Sequence, residues 1–309
     1  MVHRLTNGME IPKIGIGTFG SGRFTPEQVS EAVYGAIRAG YRLIDCASIY
    51  GNEDKIGNAF KKAFDEGTVT REGLFVISKV WNDMHGKGDV LLSCAKTLRD
   101  LKLEYLDMYL VHWPFSYSQP FCVDDFIKVW RQMEKLIYVG LVKSIGLSNM
   151  TIRKLNAVLP KCRIRPAALE MELHPAFQQP ALFEYCLLKG IQPIGFSPIG
   201  APTRPDSSKT SEDISVIEMP EIVEIAKAHK VHPATICLKW AVQRGQIPIP
   251  FSVSENEYVS NLRSIEGPSL TAEEMAQIEA ADKGCRLIKG QEIIWEGAED
   301  WRELWDGEV

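Results

Sequence analysis

The sequence predicts one (β/α)8 TIM barrel spanning residues 1–309, preceded by a small β-hairpin. Three observations predict it. Eight strand-like runs alternate with amphipathic segments along the 309 residues. No linker divides the alternation, so no domain boundary is expected. The distinctive polar residues fall at the C-terminal ends of the strand-like runs, the end of such a barrel that carries chemistry.

Each element has a local reason. Leu5 to Ile11 reads as a hairpin turning at Asn7-Gly8, a pair suited to positive φ. Ile14-Gly15-Ile16-Gly17 is the first barrel strand. Thr25 then caps a helix, with Pro26 at its first position and Gln28 completing a capping box. Further strands are expected at Leu43–Asp45, Leu74–Lys79, Met108–His112, Val142–Gly146, Ala167–Glu172, Gln192–Phe196 and Gln246–Pro250. Between them, Val90–Leu101, Asp124–Leu136, Ile152–Leu159, Pro180–Leu188 and Pro220–His229 show helical periodicity. Thr203–Ser215, rich in Ser, Asp and Thr, is expected to be a mobile loop. Gly15, Gly17 and Gly20 match a dinucleotide-binding glycine pattern. Four residues separate that pattern from the helix cap at Thr25, whereas a phosphate-binding helix begins inside the glycine run, so the match is discounted.

Composition narrows the function. The chain is 45% hydrophobic and 24% charged with a net charge of -5, as in a globular enzyme. It lacks the basic block of a nucleic-acid binder and an apolar run long enough for a membrane. Seven cysteines without a Cys-x-x-Cys pair suggest free thiols in a reducing cytoplasm. Six scattered histidines give no metal-binding pattern, and no metal is expected.

Four strand ends or following loops carry Asp45, Tyr50, Lys79 and His112. Singly, each has an ordinary explanation: a loop cap, a surface aromatic, a snorkelling lysine, a satisfied core histidine. A barrel brings all four to one mouth. A buried Asp costs free energy unless paired, and Lys79 is its candidate partner. Together they suit a proton-donor site.

At these residues the chain resembles the aldo-keto reductases. The resemblance runs through Gly40-Tyr-Arg-Leu-Ile-Asp45, Tyr50-Gly-Asn-Glu53, Leu106-Asp-Met-Tyr-Leu-Val-His112-Trp-Pro114 and Gly140-Leu-Val-Lys-Ser-Ile-Gly-Leu-Ser148-Asn149. It continues through Glu172-Leu-His174-Pro175 and Phe196-Ser197-Pro198-Ile-Gly200, and looks most like the xylose and aldose reductase branch, close to uronate reductases. It implies an oxidoreductase moving hydride between a nicotinamide and a carbonyl or alcohol, with sugar metabolism the expected setting. Tyr50 would be general acid and base, its pKa drawn down from about 10 by the Lys79 ammonium. Asp45 would anchor Lys79, and His112 would orient the substrate oxygen.

The resemblance also implies binding residues. Gly17, Thr18 and Phe19 would meet the cofactor, and Ser148 and Asn149 would hold its carboxamide. Phe196 would stack on the nicotinamide in place of a usual tyrosine. Ser197 and Ile199 would line the pyrophosphate, and Asn261 would keep an adenine contact. Phe19, Trp81, Trp113 and the tail residue Trp295 would wall the substrate pocket, with the tail crossing the mouth. His174 is expected to be structural.

Three positions depart from the family pattern. In Ile249-Pro250-Phe251-Ser252-Val253-Ser254-Glu255-Asn256-Glu257, Phe251 replaces the lysine and Glu257 the arginine that grip a 2′-phosphate. Each charged hydrogen bond lost is worth about 1.5–3 kcal/mol. Glu257 would repel the phosphate and accept from a free 2′-hydroxyl. NAD(H) is therefore expected over NADP(H), which stays possible. Glu170 replaces a glutamine that pairs with the carboxamide. As a carboxylate it would favour cationic NAD⁺ over NADH; a protonated Glu170 would remove that argument. The alternatives are an NADPH-dependent aldose or uronate reductase and a non-catalytic nucleotide-sensing subunit. A small-molecule carbonyl or sugar is the expected partner, and the chain is expected as a monomer or homodimer.

Overall fold

The computed structural model describes residues 2–116 and 119–308. Strands β1 (Val2–Arg4) and β2 (Glu10–Pro12) form the antiparallel hairpin, pairing Val2 with Pro12. Its strands begin before Leu5, because Leu5 already belongs to the turn: Leu5 N–H donates to Met9 O and Gly8 N–H to Leu5 O. Leu5 and Ile11 are buried against Leu43, Ile77, Leu110 and Ile247, so the hairpin plugs the N-terminal end of the barrel.

Eight parallel strands make the barrel: β3 (Ile16–Gly17), β4 (Leu43–Asp45), β5 (Phe75–Val80), β6 (Met108–Val111), β7 (Ile145–Ser148), β8 (Ala168–Glu172), β9 (Gln192–Phe196) and β10 (Ile247–Ile249). They pair in chain order. Closure is made by Gly15 N–H donating to Pro248 O and Gly17 N–H to Pro250 O, each at 3.0 Å. The glycine pattern serves this seam. A Cβ on Gly15 would stand 2.6 Å from Leu43 Cγ, and one on Gly17 would stand 3.2 Å from Ile249 O. No helix begins inside the pattern, which removes the dinucleotide-motif reading.

The outer layer is α1 (Pro26–Ala39), α2 (Glu53–Asp65), α3 (Asp89–Leu101), α4 (Val123–Tyr138), α5 (Ile152–Val158), α6 (Pro180–Leu188), α7 (Pro220–His229), α8 (Pro233–Gln243), α9 (Glu255–Arg263) and α10 (Ala272–Ala280). Helix α1 starts with the expected capping box between Thr25 and Gln28. Its buried Val29, Ala32, Val33, Ala36 and Ile37 face the core at helical spacing. Helix α8 was hidden in the sequence, because residues Ala234 to Leu238 are buried in succession and leave no amphipathic stripe.

Two expectations are corrected. Strand β7 begins at Ile145 rather than Val142, which makes only an isolated bridge to Leu106, and it therefore ends at Ser148. The Thr203–Ser215 segment is pinned rather than free. Arg204 Nη2 meets Asp213 Oδ2 at 2.5 Å, Lys289 Nζ meets Asp213 Oδ1 at 2.8 Å, and Arg23 Nη2 meets Asp206 Oδ1 at 2.7 Å.

Candidate active site

The C-terminal strand ends open into a cleft of roughly 790 Å³. Asp45 ends β4 and Lys79 lies near the end of β5, both fully enclosed. Lys79 Nζ donates to Asp45 Oδ1 at 2.6 Å and Oδ2 at 2.7 Å, and to Cys46 O at 3.0 Å. Tyr50 closes a short 3-10 turn, Ser48–Tyr50, and its ring centroid lies 5.5 Å from Lys79 Nζ. His112 follows β6 and stands edge-on to Tyr50, with centroids 5.9 Å apart. The four predicted residues thus meet at one place. Phe19 and Trp81 pack against Tyr50 and His112 at 5.0 and 4.9 Å.

Burial dominates the electrostatics here. It pushes the Tyr50 phenol above its ordinary value, and the pull of Lys79 does not overcome it against Asp45 and Glu170. The expectation that Lys79 alone draws Tyr50 toward neutrality is therefore corrected for the free protein. Burial, aided by Lys79, holds His112 well below the usual histidine range, so its imidazole is neutral. Lys79 loses solvation, yet Asp45 and Glu170 raise it above the usual lysine range and keep it cationic.

Glu170, in β8, reaches Lys79 from the far side of the barrel at 3.3 Å. Burial first, and then the Asp45 charge, push its carboxyl up to about 8. Both causes favour the neutral acid in the free protein, the case in which the carboxylate argument for favouring NAD⁺ does not apply.

Asn149 follows β7 with a left-handed φ of 56°, a conformation its short polar side chain tolerates. Its Nδ2 donates to His112 O at 3.0 Å and Ser148 Oγ at 3.1 Å. Asn149 Oδ1 and Glu170 Oε2 are buried and have no partner among the described residues. These orphaned atoms fit a group that both donates and accepts, as a nicotinamide carboxamide does.

The rest of the cleft wall includes Gly17, Thr18, Phe196, Ser197 and Ile199 and continues through Phe251, Ser252, Val253, Ser254 and Glu257. Phe251 packs on Phe24 at 5.7 Å. Ser252 Oγ donates to Glu257 Oε2 at 2.6 Å and accepts from Ser254 N–H at 2.9 Å. Asn261 is buried on α9 but does not line the cleft. Trp113 lines it, whereas Trp295 does not: Trp295 stands edge-on to Phe115 at 6.1 Å and faces a second cavity. The tail reaches the mouth through Ile288 to Ile293 instead.

Sequence reasoning missed how that wall is held. Glu172 accepts from Leu287 N–H at 2.7 Å, Ile288 N–H at 2.9 Å and, in one tautomer, His174 Nε2 at 2.9 Å. His174 is thus structural, as expected, and orders the tail through Glu172. The only signal was a glutamate ending a buried strand. Arg286 stacks its guanidinium on Trp305 at 3.5 Å, away from the cleft. Arg204 and Lys289, the cations among the described lining residues, both bind Asp213. No group of side chains able to hold a metal occurs among the described residues, and no described helix is long and apolar enough to cross a membrane.

A barrel with an ion-paired lysine, a tyrosine and a histidine at its C-terminal mouth defines an oxidoreductase class. The Aldo/keto reductase family model matches residues 13–283. An aldo-keto reductase family 1 member A1 of Xenopus tropicalis is 40% identical over 299 residues, covering 92% of this chain and 89% of its own length. An aldo/keto reductase of Synechocystis is 37% identical, covering 98% of this chain and 95% of its own length. The crystal structure of a Bombyx mori aldo-keto reductase in complex with NADP matches with a TM-score of 0.85 at 31% identity, covering 93% of this chain and 94% of that one. The chain belongs to the aldo-keto reductase family, and it is an enzyme that uses a nicotinamide cofactor.

Proposed function

We propose that this enzyme is an NAD(H)-linked oxidoreductase for a neutral carbonyl or alcohol, such as a sugar or sugar derivative. The observation that carries the reading is the buried Lys79–Asp45 ion pair behind Tyr50. The bound nicotinamide supplies or accepts hydride. Tyr50, kept protonated by burial, hands its proton to the oxygen that gains charge. Lys79 stabilises the resulting phenolate, and Asp45 keeps Lys79 charged and in place. Neutral His112 offers a hydrogen bond to the same oxygen. Phe19, Trp81 and Trp113 form an apolar wall suited to stacking on a sugar or ring face.

The preference for NAD(H) rests on Phe251 and on Glu257, whose carboxylate already accepts from Ser252 where a phosphate would seek cations. The reading of a neutral substrate over the uronate alternative is supported by Arg204 and Lys289 both being held by Asp213, although that carboxylate balances only one of the two charges. Seven unpaired cysteines support a reducing, cytoplasmic setting. The NADP found in the Bombyx mori structure supports a second reading, an NADPH-dependent reductase.

Parallel titration with NADH and NADPH, followed by tryptophan quenching, tests the assignment. Tight NADH and weak NADPH are expected, with turnover of glyceraldehyde. Tight NADPH selects the second reading, and binding of neither returns the chain to a non-catalytic role.

A further inference from the structure

The cluster around Lys79 holds one carboxyl more than its charge requires. Asp45 contacts Lys79 through both oxygens, at 2.6 and 2.7 Å. Glu170 contributes Oε1 at 3.3 Å, while its Oε2 is buried without a partner. All three side chains are at most 3% exposed. One ammonium neutralises one carboxylate, and a second carboxylate in this dry site is strongly disfavoured. The pair therefore retains a proton. The two-oxygen contact marks Asp45 as the carboxylate and leaves the proton to Glu170. A neutral carboxylic acid presents one donor and one acceptor, the same complement as an amide, whereas a carboxylate only accepts.

We propose that Glu170 engages the cofactor carboxamide as a neutral acid, and that its ionisation loosens reduced cofactor more than cationic oxidised cofactor, so that pH sets which form the enzyme holds. This rests on the nicotinamide reading of the cleft. The groups facing Glu170 are Asp45 and Cys46 from β4 and the residue after it, Tyr50 from its turn, Lys79 from β5 and His112 after β6. Burial raises Cys46 and Tyr50, Lys79 is raised by its carboxyl partners, and burial holds His112 low. Burial also raises Asp45, but its two contacts with Lys79 keep it the carboxylate of the pair, and none of the others changes protonation between pH 7 and pH 9. Glu170, pushed up to about 8, does. Loss of its proton removes the donor and adds a negative charge, which a cationic nicotinamide tolerates and a neutral one does not.

The test is proton uptake on NADH binding by the full chain, by calorimetry at pH 8 in buffers of differing ionisation enthalpy. Uptake of roughly half a proton is expected, since the free acid is about half ionised there and the bound one is protonated. Titrations with NADH and NAD⁺ from pH 6 to 9.5 complete it. In the wild type NADH affinity should fall up to about tenfold per pH unit above pH 8, and NAD⁺ affinity less steeply. In E170Q both should be flat. Absence of proton uptake in the wild type, or equal slopes in the two proteins, overturns the proposal. The wild-type calorimetry stands alone should E170Q fail to fold. If NADPH binds in place of NADH, the cofactor preference fails while the same measurements with NADPH still decide the role of Glu170. Binding of neither overturns both.

Discussion

Glu170 lies 3.3 Å from Lys79 although their strands, β8 and β5, are separated around the barrel by two others. The contact crosses the barrel axis and ties its two halves through one ammonium. Lys79→Met leaves Asp45 and Glu170 facing each other without a cation. Breaking a buried pair costs about 3–5 kcal/mol, and proton uptake by Asp45 is the means of relief. A lower melting temperature is expected, with the loss largest at alkaline pH. Turnover should drop by about 10²–10⁴-fold as Tyr50 loses its phenolate partner. Thermal melts and steady-state rates at two pH values check both parts; unchanged turnover removes Lys79 from the chemistry.

Glu170 also makes a prediction about stability that needs no cofactor. Its folded pKa, about 8, lies above the ordinary glutamate value, so the native state binds more protons than the unfolded one. For an acid raised in this way stability is highest below the unfolded pKa, near 4.3, and declines as pH rises toward 8. Glu170→Gln removes the decline. The variant should gain at least about 2 kcal/mol on the wild type between pH 5 and pH 8, because each tenfold fall in proton activity across that window costs the protonated native state up to about 1.4 kcal/mol. Urea unfolding of both proteins at the two pH values measures it, and a constant difference places the Glu170 titration elsewhere.

His112 gives a simpler expectation. Held neutral by burial and by Lys79, it changes charge well below the pH of activity. The turnover profile should show no limb near pH 6.5, the ordinary histidine value. A limb there that vanishes in His112→Gln contradicts the neutral imidazole.

The strand ends were legible because each bears a residue whose chemistry conflicts with its neighbours. Asp45, Lys79 and His112 interrupt apolar runs, and Thr25 with Gln28 announces a helix start without any tertiary information. Long-range relationships left no such mark. Gly15 and Gly17 matched a dinucleotide pattern that could be discounted but not explained, because the neighbours that demand small residues there, Leu43 and Ile249, are distant in the chain. The tail lacks periodicity, so Trp295 could be assigned to the substrate pocket while Ile293 occupies the mouth. Glu170 could be seen as a substitution. Its protonation depends on Asp45 and Lys79 sharing one dry site, which only the closed barrel supplies.

The barrel seam supplies a stability test. Gly15→Ala sets a Cβ 2.6 Å from Leu43 Cγ and 3.0 Å from Ile249 Cγ2, both in well-packed walls. Overpacking of this kind costs typically about 1–3 kcal/mol. Gly8→Ala meets nothing within 4 Å, but its φ of 87° strains any other residue, so its smaller loss comes from backbone alone. Chemical denaturation should rank Gly15→Ala as the more destabilised, with cofactor affinity falling as the strand ends at Gly17 and Ile249 separate. The reverse order points to the hairpin turn, and not the seam, as the weaker point of the fold.

The proposed preference for NAD(H) can be tested by reversing it. Phe251→Lys with Glu257→Arg places two cations where the cleft now has an aromatic ring and a carboxylate, and frees Ser252 Oγ from its 2.6 Å bond. Each charge-assisted bond to a phosphate contributes about 1.5–3 kcal/mol, or about ten- to a hundredfold in affinity. The double variant should bind NADPH at least tenfold more tightly than the wild type does, with the gain shrinking as salt screens it. NADH, having no phosphate to meet the new cations, should lose several-fold because the acceptor for its 2′-hydroxyl is gone. Glu257→Arg alone should give most of the change, since it removes a repulsion as well as adding a contact, while Phe251→Lys also gives up the packing on Phe24. An NADPH affinity unmoved by both substitutions means that the ribose is held by other residues of the cleft, and the preference for NAD(H) then loses its structural basis.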